Sequence, residues 1–406
     1  MTGILDGMRI IEGSAFVAAP LGGMTLAQMG ADVIRFDPIG GGLDARRWPV
    51  TAEGKSLYWA GLNKAKRSIA IDLASPEGQD IASALITAPG PDAGMFLTNF
   101  PARGWLDYDA LKRRRGDLIM VNITGNRDGS SAVDYTVNCA TGFPLITGPE
   151  GSGGVVNHVL PAWDAITGAT AAVGLLAAER YRARTGEGQL VRLALSDVAM
   201  AMAGNLGFIA EVQINGLTRQ AVGNDLYGAF GRDFATGDGK RIMVIAITRR
   251  QWRNLAKATG LGGQFAAIGQ KLGLDLDQEG DRFGARGAIA GALAPWIAAR
   301  SLAEIGRMFD HGGVCWGPYQ SFNEMVASDP RCSTRNPLFQ DIDQPGIGRY
   351  LTPASPLDFT APGGATEIAP APQLGQHTDE ILGDIVGLSS SEIGGLHDRN
   401  VVAGPV

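Results

Sequence analysis

Apolar segments of two lengths alternate along the first half of the chain. Short runs of strand length stand at 8–12, 32–36, 68–72, 95–98 and 118–122, and longer segments of helical length lie between them. Ser75 and Pro76 mark the start of one helix, as its N-cap and first-turn residues. The alternation predicts a parallel, doubly wound, Rossmann-like α/β sheet. Ligands of such sheets bind beyond the carboxyl ends of the strands, which places the expected site at loops 12–20, 37–48 and 98–104.

The pattern changes near residue 225. A turn at 235–240 precedes a strand at 241–246, and helical patterns dominate 249–310. The chain returns through Pro-rich extended chain at 353–372 and a helix at 377–386. The change of pattern predicts a smaller, separate α+β domain over 225–350, which follows a first domain over 1–224 and precedes a tail over 351–406.

Bulk composition narrows the class of protein. The 406 residues carry a net charge of −6, which argues against a nucleic-acid partner. No apolar run reaches membrane-spanning length and the N-terminus lacks a signal pattern, so we expect a cytoplasmic protein without a membrane partner. The three cysteines and four histidines have no metal-ligand spacing, so we expect no metal site.

Asp164 is the candidate nucleophile. It stands just ahead of a long small-residue segment, 165–183, that we predict to be a buried helix, followed by a strand at 189–194 and a second helix at 197–212. The unpaired N–H groups at a helix N-terminus favour an anion, and a charged but poorly hydrated carboxylate is nucleophilic. The alternative is an ordinary helix N-cap, which is the commoner role of Asp at this position.

A basic cluster is the candidate anion site. Lys64, Lys66 and Arg67 precede a predicted strand, and Arg46 and Arg47 converge from the previous loop. In an acidic protein such a cluster favours a phosphate clamp, although a solvated loop remains open. Gly40–Gly42 lacks the spacing of a dinucleotide fingerprint and is interpreted as a flexible loop. The turn-rich segment 223–228 is either a linker or a mobile loop that offers N–H groups to an oxyanion.

Several ordered motifs together resemble the class III CoA-transferases, typified by formyl-CoA and carnitine CoA-transferases. They run in order along most of the chain and comprise Leu5–Arg9, Gly30–Ile34, Asn63–Asp72, Ser75–Gly78, Asn99–Phe100, Asp164–Gln189, Gly317–Pro318 and Leu374–Leu382. The resemblance implies a large Rossmann-like domain formed by 1–224 and by the C-terminal return over 351–406, with the smaller domain over 225–350 inserted between them. It further implies an interlocked homodimer and an acyl-CoA substrate, with no cofactor beyond the CoA that the substrate carries. It also implies that Asp164 attacks the thioester to form an acyl anhydride and then an aspartyl-CoA thioester.

The resemblance extends to site residues and to a subgroup. It implies CoA contacts by Arg46, Lys64, Lys66, Arg67, Asn99, Phe100 and Arg103, and a substrate pocket formed by Phe16, Val17, Ala18, Trp48, Asn224, Tyr227 and Gly228. The runs 11–20, 99–105 and 226–232 resemble a subgroup that moves CoA between the two carboxyl groups of one C4–C5 dicarboxylate such as mesaconate. Val17 stands where the family usually has a polar or aromatic residue, and the segment after Phe100 is shorter than is usual.

Three other functions remain open. An intermolecular transferase for another small acid would use the same chemistry. An α-methylacyl-CoA racemase shares the fold, but it needs a His base at the position that Val133 occupies. A CoA-binding protein without catalysis would not need the Asp164 carboxylate, and Asp164→Ala separates the two because only an enzyme would lose turnover.

Overall fold

The computed structural model describes residues 3–360 and 368–405, so the predicted extended segment at 353–372 lies partly outside the described residues. The elements up to residue 215 are, in chain order, β1 Arg9–Gly13, α1 Ala18–Ala27, β2 Asp32–Pro38, α2 Leu57–Leu62, β3 Arg67–Ile71, α3 Pro76–Ile86, β4 Met95–Thr98, α4 Tyr108–Arg114, β5 Ile119–Thr124, α5 Asp134–Ala140, α6 Phe143–Ile146, α7 Ala162–Thr185, β6 Leu190–Ala194, α8 Leu195–Asn205 and α9 Phe208–Asn215.

The elements after residue 215 include two further small sheets. They are β7 Phe230–Ala235, β8 Arg241–Ala246, α10 Arg249–Thr259, α11 Gly262–Leu272, α12 Glu279–Gly284, α13 Arg286–Ala298, α14 Leu302–Gly312, β9 Cys315–Pro318, α15 Phe322–Ser328, β10 Phe339–Gln344, β11 Gly348–Pro353, α16 Thr378–Ile381, α17 Ser390–Asp398 and β12 Val402–Ala403. Short 3₁₀ segments lie at Gly104–Leu106 and Pro330–Cys332, and a π-helical turn at Leu382–Val386 follows α16.

The chain divides into two compact units. Unit 1 comprises Met1–Thr141, Val159–Glu211 and Pro330–Val406, and unit 2 comprises Gly142–His158 and Val212–Asp329. These bounds differ from the predicted 225–350 insertion, because 142–158 belongs to unit 2 and 330–350 to unit 1. Unit 1 contains both ends of the chain, and unit 2 is formed from two separate segments.

A seven-stranded sheet forms the centre of unit 1. The strand order is β12-β3-β2-β1-β4-β5-β6, parallel throughout except for the edge strand β12. The order 3-2-1-4-5-6 is that of a doubly wound Rossmann-type sheet, with its switch point between β1 and β4. The predicted parallel α/β sheet is therefore confirmed, and the loops that follow β1, β2 and β4 lie at its carboxyl edge.

Local sequence explains most element bounds. β4 and β8 match the predicted runs because each is an apolar stretch ended by polar or turn-forming residues. The predicted single helix over 197–212 is wrong, since the structure has α8 and α9 instead. Gly207 lies between them with φ of +84°, a left-handed conformation that interrupts the regular helix.

Two small-residue helices pack closely on one face of this sheet. An added Cβ on Gly168 of α7 would lie 2.7 Å from the backbone oxygen of Ala18, and one on Gly22 of α1 would lie 2.9 Å from the oxygen of Gly168. The buried apolar side chains of β1, β2, β4 and β5 fill the space beneath them. The close approach is possible only because both positions lack side chains, and it sets the first turn of α7 beside the start of α1.

Unit 2 contains the antiparallel sheet β7-β8-β9 and the helices α10 to α14. Its core is formed by buried aromatic and aliphatic side chains, among them Phe230, Trp252, Leu255, Ile289 and Phe309. Among the described residues of the whole chain, no single helix is long and apolar enough to cross a membrane. The bent pair α8 and α9 passes that test by length and composition alone.

Candidate active site

Asp164 is the third residue of α7 and is partly buried. The helix has no side-chain cap of its own, because Pro161 occupies the N-cap position. Within the part of the chain that the structure describes, the Asp164 carboxylate makes no hydrogen bond. One turn further on, the close contact of Gly168 with Ala18 holds this end of α7 against the loop after β1. Asp164 is therefore a free carboxylate at a helix N-terminus rather than its cap.

Asp134 caps α7 from another element. Its Oδ2 accepts hydrogen bonds from the backbone N–H groups of Trp163 at 2.7 Å and Asp164 at 3.1 Å. The side chain is 1% exposed, and its Oδ1 has no hydrogen-bond partner among the described residues. One turn further along α5, Asn138 accepts from the Trp163 indole at 3.1 Å. Asp134 thus satisfies N–H groups that Asp164 would otherwise cap, and it brings a second negative charge close to Asp164.

The surroundings raise the pKa of Asp164 to about 6. Burial is the main cause, the charge of Asp134 adds to it, and the positive charge of Arg47 opposes both. Desolvation and the neighbouring carboxylate together outweigh the favourable effect predicted for the helix N-terminus. The carboxylate is still largely ionised at neutral pH, and its higher basicity makes it a better nucleophile than an ordinary aspartate.

Arg47 lies over two aromatic rings beside this carboxylate. Its guanidinium carbon is 5.4 Å from the ring centre of Phe16 and 5.2 Å from that of Tyr58, within cation–π range. Burial raises the pKa of Tyr58, Arg47 lowers it, and the charge of Asp164 contributes to raising it. Phe16, Arg47, Tyr58 and Asp164 therefore share one electrostatic neighbourhood.

A buried ion network holds the loops of this neighbourhood. Arg35, 1% exposed, donates to Asp37 at 2.8 Å and to Asp44 at 3.0 Å. Asp44 also accepts from the backbone N–H of Phe16 at 3.1 Å, which fixes Phe16 in its unusual φ of +67°. Burial opposes the charge of Arg35, but the nearby carboxylates raise its pKa overall. The network ties the loop after β1 to the turn after β2.

A second clamp joins the loop after β1 to the loop after β4. The side-chain amide of Asn99 donates to the Ala15 oxygen at 2.7 Å and accepts from the Ala15 N–H at 2.9 Å. Phe100 packs against Phe36 with ring centres 6.2 Å apart. The three loops predicted at the carboxyl edge are thus joined to one another. The Asn99 side chain is occupied by this clamp, whereas the predicted CoA contact of Phe100 stays a prediction.

The side chains of Lys64 and Lys66, which were predicted to bind phosphate, are instead paired with groups of the protein itself. The Nζ of Lys66 lies 2.8 Å from Glu12 in a fully buried ion pair, and burial lowers the pKa of Lys66 to about 8. Lys64 is buried with its Nζ 2.8 Å from the Pro353 oxygen, and burial likewise lowers its pKa to about 8. These two side chains stabilise unit 1, because bringing them to a phosphate would break buried contacts.

Arg67 is also paired internally, with Asp32 at 2.8 Å and Glu380 at 2.9 Å. Two predicted cations differ from it: Arg46 and Arg103 are exposed, and their side chains make no ion pair within residues 3–360 and 368–405. Arg46 lines a cavity of about 350 Å³ with Trp59 and Leu374, and Arg103 follows the end of β4. These two are the predicted phosphate ligands whose charges are available to a ligand.

The predicted pocket residues lie in both units. Val17 and Ala18 are buried at the start of α1, Phe16 is 37% exposed beside Arg47, and Trp48 is 79% exposed in the next loop. Asn224, Tyr227 and Gly228 belong to unit 2, where the Tyr227 ring packs at a tilt against Phe283, with ring centres 5.1 Å apart, and lines a cavity of about 500 Å³. Their role in a substrate pocket stays a prediction.

The sequence pattern missed two residues of this site, Asp134 and Tyr58. Asp134 is 30 positions before Asp164, and no local spacing connects them. Tyr58 lies in the short helix α2, which was not predicted. Val133, at the position where a racemase needs its base, is an apolar N-cap residue of α5. The surroundings of Asp164 therefore comprise a second carboxylate, Asp134, and the exposed cation Arg47, a set suited to acyl transfer through a covalent intermediate at Asp164.

The chain belongs to CoA-transferase family III, whose sequence profile matches residues 5–378. It is 63% identical over 406 residues to the 2-methylfumaryl-CoA isomerase of Chloroflexus aurantiacus, covering 100% of this chain and 99% of that protein. It is 30% identical over 420 residues to the succinyl-CoA–D-citramalate CoA-transferase of the same organism, covering 98% of each. The family resemblance expected from the sequence is confirmed.

Solved structures show the same fold. A CAIB/BAIF family protein from Brucella suis superposes with a TM-score of 0.76 at 23% identity, covering 94% of this chain and 99% of that one. The Rv3272 protein of Mycobacterium tuberculosis gives a TM-score of 0.74 at 22% identity, with coverage of 94% and 99%. At these identities the likeness concerns the fold alone.

Proposed function

We propose that this protein is a 2-methylfumaryl-CoA isomerase that moves CoA between the two carboxyl groups of 2-methylfumarate (mesaconate). The observation that carries the substrate is the 63% identity, over the whole chain, to the Chloroflexus aurantiacus isomerase. The chemistry rests on Asp164, a free, partly buried carboxylate whose pKa of about 6 leaves it ionised at neutral pH.

The proposed reaction proceeds by four acyl transfers at Asp164. The Asp164 carboxylate attacks the thioester carbonyl, the C–S bond breaks, and CoA leaves as a thiolate from a mixed anhydride. The thiolate attacks the aspartyl carbonyl of that anhydride, which gives an aspartyl-CoA thioester and frees the dicarboxylate. The other carboxylate of the same molecule then attacks the aspartyl thioester, and the released thiolate attacks the new anhydride at the dicarboxylate carbonyl. Asp164 is regenerated and the isomeric thioester leaves.

The proposed CoA path follows the carboxyl edge of the sheet. Arg46 and Arg103 have exposed, unpaired guanidinium groups within the described residues, and both follow strands of the central sheet. Phosphate groups are bound well by such charged forks. We assign the CoA phosphates to these two side chains and give Lys64, Lys66 and Arg67 structural roles. The reaction needs no cofactor beyond the CoA that the substrate carries.

The proposed assembly is an interlocked homodimer, as the resemblance implies. Unit 1 exposes apolar side chains on α7, α8 and α9, including Val173 at 67%, Leu206 at 60% and Ile209 at 44%. Exposed apolar groups on neighbouring elements are typical of a surface covered by a partner. Light scattering coupled to size-exclusion chromatography tests the assembly, and a monomer at micromolar concentration would contradict it.

The decisive experiment supplies 2-methylfumaryl-CoA together with isotope-labelled free mesaconate, and follows both thioester isomers by mass spectrometry. Isomerisation without label in the thioester is the expected result. Asp164→Asn, which keeps the shape of the side chain, is expected to abolish isomerisation while CoA binding persists. Absence of reaction in the unaltered protein would refute the proposed substrate and leave the family membership unaffected.

An intermolecular CoA-transferase is the second candidate. The 30% identity to a relative named succinyl-CoA–D-citramalate CoA-transferase favours it, because that name contains a separate donor and acceptor. The same experiment separates the two functions. Efficient appearance of label in the thioester would identify intermolecular transfer.

A further inference from the structure

The proposed isomerisation places one demand on the site that Asp164 cannot meet. After CoA has moved to Asp164, the freed dicarboxylate is a dianion with no covalent bond to the protein. It must stay in place until its second carboxylate attacks, because escape would turn the reaction into an intermolecular transfer. Holding both reactants in one site also removes the entropic cost of a bimolecular step. A cation beside Asp164 is the simplest way to retain such an anion.

Arg47 is placed to supply that cation. Its guanidinium lies over the Phe16 ring at 5.4 Å. Phe16 is two residues before Ala18, and the backbone oxygen of Ala18 packs against Gly168, which is one helical turn after Asp164. The Arg47 backbone is fixed as well, since its N–H donates to the Asp44 oxygen at 3.1 Å. Asp44 is itself held by the buried Arg35. The Arg47 side chain therefore extends from a braced turn toward the neighbourhood of the nucleophile.

The charge of Arg47 is not neutralised. Within residues 3–360 and 368–405, no carboxylate lies within 4 Å of its guanidinium, and the side chain is exposed. Two other cations of the same region, Arg35 and Lys66, are already paired with carboxylates. Arg35 is bound by Asp37 and Asp44, and Lys66 by Glu12. Arg47 is thus a cation on a fixed backbone that contacts two aromatic rings, and within residues 3–360 and 368–405 no carboxylate pairs with its planar guanidinium.

We propose that Arg47 binds the free carboxylate of the substrate and retains the dicarboxylate while CoA is attached to Asp164. This inference rests on the proposed function and adds to it the residue that makes the transfer intramolecular. A guanidinium binds a carboxylate through two parallel hydrogen bonds, which orients the anion as well as attracting it. Phe16 and Tyr58 form the walls that keep the guanidinium in place.

The alternative ligand for Arg47 is a phosphate of CoA. The pantetheine arm separates the thioester from the diphosphate, so a residue beside the nucleophile is poorly placed for the phosphates. Arg46 points elsewhere, into the cavity with Trp59 and Leu374. If Arg47 binds the substrate carboxylate, its loss should matter little for a thioester that lacks a second carboxylate. If Arg47 binds a CoA phosphate, its loss should affect both thioesters, and the test uses this difference.

The test compares the unaltered protein with Arg47→Gln and Arg47→Lys. With 2-methylfumaryl-CoA and isotope-labelled free mesaconate, Arg47→Gln is expected to lower kcat/KM roughly 10- to 100-fold, the effect of losing a charged hydrogen-bonded pair. It is also expected to increase the fraction of product thioester that carries label, because the dicarboxylate escapes. Arg47→Lys keeps the charge but not the two parallel N–H donors of a guanidinium. Its kcat/KM and its labelled fraction of product should lie between those of the unaltered protein and those of Arg47→Gln.

Crotonyl-CoA, which has no second carboxylate, is the control substrate. The rate at which it loads CoA onto Asp164 is followed at pH 8 by intact-protein mass after trapping. At that pH Asp164 is largely ionised, so the loading rate is expected to fall far less in Arg47→Gln than the isomerisation rate does. Arg113→Gln, a substitution of an exposed arginine on α4, controls for loss of surface charge.

Three outcomes would overturn the proposal. The first is an Arg47→Gln protein that isomerises at the normal rate without incorporating label. The second is an equal loss with both substrates, which would assign Arg47 to CoA binding or to loop structure. The third is an unaltered protein that does not isomerise 2-methylfumaryl-CoA but transfers CoA between separate acids, which would refute the proposed function and remove the basis of this inference with it.

Discussion

Replacing Asp164 with asparagine is expected to make the folded protein more stable at neutral pH. The unaltered side chain is ionised there at a thermodynamic cost, because burial and the charge of Asp134 raise its pKa from 3.8 to about 6, with Arg47 partly opposing them. Asparagine has the same shape and carries no charge. The hydrogen bonds that Asp134 accepts from the backbone N–H groups of Trp163 and Asp164 are unaffected by the substitution. The variant thus removes the charge of residue 164 and preserves the shape of its side chain and the hydrogen bonds at the start of α7.

The magnitude follows from the difference in proton binding between the folded and unfolded chains. A raised carboxyl pKa means that the folded state holds the proton more tightly. The stability that the folded state gains by holding this proton is fully present below pH 3.8 and is lost as pH rises through about 6. A shift of about two pKa units corresponds to about 3 kcal/mol. Because Asp164 is partly exposed, solvent screening reduces this, and we expect a gain of about 1–3 kcal/mol for Asp164→Asn at pH 8.

Urea unfolding of both proteins at pH 4.5, 6 and 8, at one fixed protein concentration, measures the effect. The difference between the two free energies of unfolding should be about a third as large at pH 4.5 as at pH 8, because the unfolded chain already loses the proton above pH 3.8. Asp134→Asn serves as the matched control. It removes the neighbouring charge but keeps an oxygen for the α7 N–H groups, so it should shift the pH dependence of the unaltered protein to lower pH. A stability difference that is the same at pH 4.5 and pH 8 would refute the reasoning.

Other expected outcomes concern catalysis and packing. Since Asp164 must be ionised to attack, kcat/KM for the thioester should rise tenfold per pH unit below about pH 6 and level off above it; a midpoint near 4 would contradict the raised pKa. Gly168→Ala should lower the free energy of unfolding by about 1–3 kcal/mol, because its Cβ would lie 2.7 Å from a backbone oxygen. The control Gly174→Ala lies in the same helix with its nearest neighbour at 3.6 Å, so thermal unfolding should show no change or a stabilisation of up to about 1 kcal/mol. Lys66→Met should destabilise the protein by about 3–5 kcal/mol, because it removes the 2.8 Å ion pair of the buried Glu12 and leaves that carboxylate with Arg35, at 3.9 Å, as its ion-pair partner. Adding Glu12→Gln should restore part of that loss, and equal melting of the single and double variants would exclude coupling of the pair.

The sequence predicted the parallel sheet correctly, and Asp164 as the nucleophile stays a prediction whose electrostatic surroundings the sequence did not reveal. Asp164 was found because a carboxylate ahead of a long small-residue run is visible locally, and α7 does begin there. The predicted effect of the helix N-terminus on its charge was outweighed, since Asp134 occupies the N–H groups and adds its own negative charge. Asp134 comes from another helix, and no periodicity in the sequence links the two residues.

The basic cluster shows why charges are harder to interpret than apolar patterns. Lys66 and Arg67 were predicted to bind phosphate because a run of cations in an acidic protein suggests an anion site. Their partners are distant in sequence, 54 residues away for the Lys66–Glu12 pair and 313 for the Arg67–Glu380 pair. A carboxylate that is brought opposite a cation by folding leaves no local signal. The pairing of charges therefore becomes visible only once the strands are in register.

What the sequence determined by itself was the set of elements and their class. Alternating apolar segments of strand and helix length require a parallel sheet covered by helices, because only that arrangement buries both. Tertiary structure alone decided which groups are available for chemistry. The strand order brings the loops after β1, β2 and β4 together, and the network around Arg35 and Asp44 holds them there. That packing pairs Lys66 with Glu12, and it leaves Arg47 near Asp164 without a carboxylate partner among the described residues, because burial and pairing depend on contacts between residues far apart in the chain.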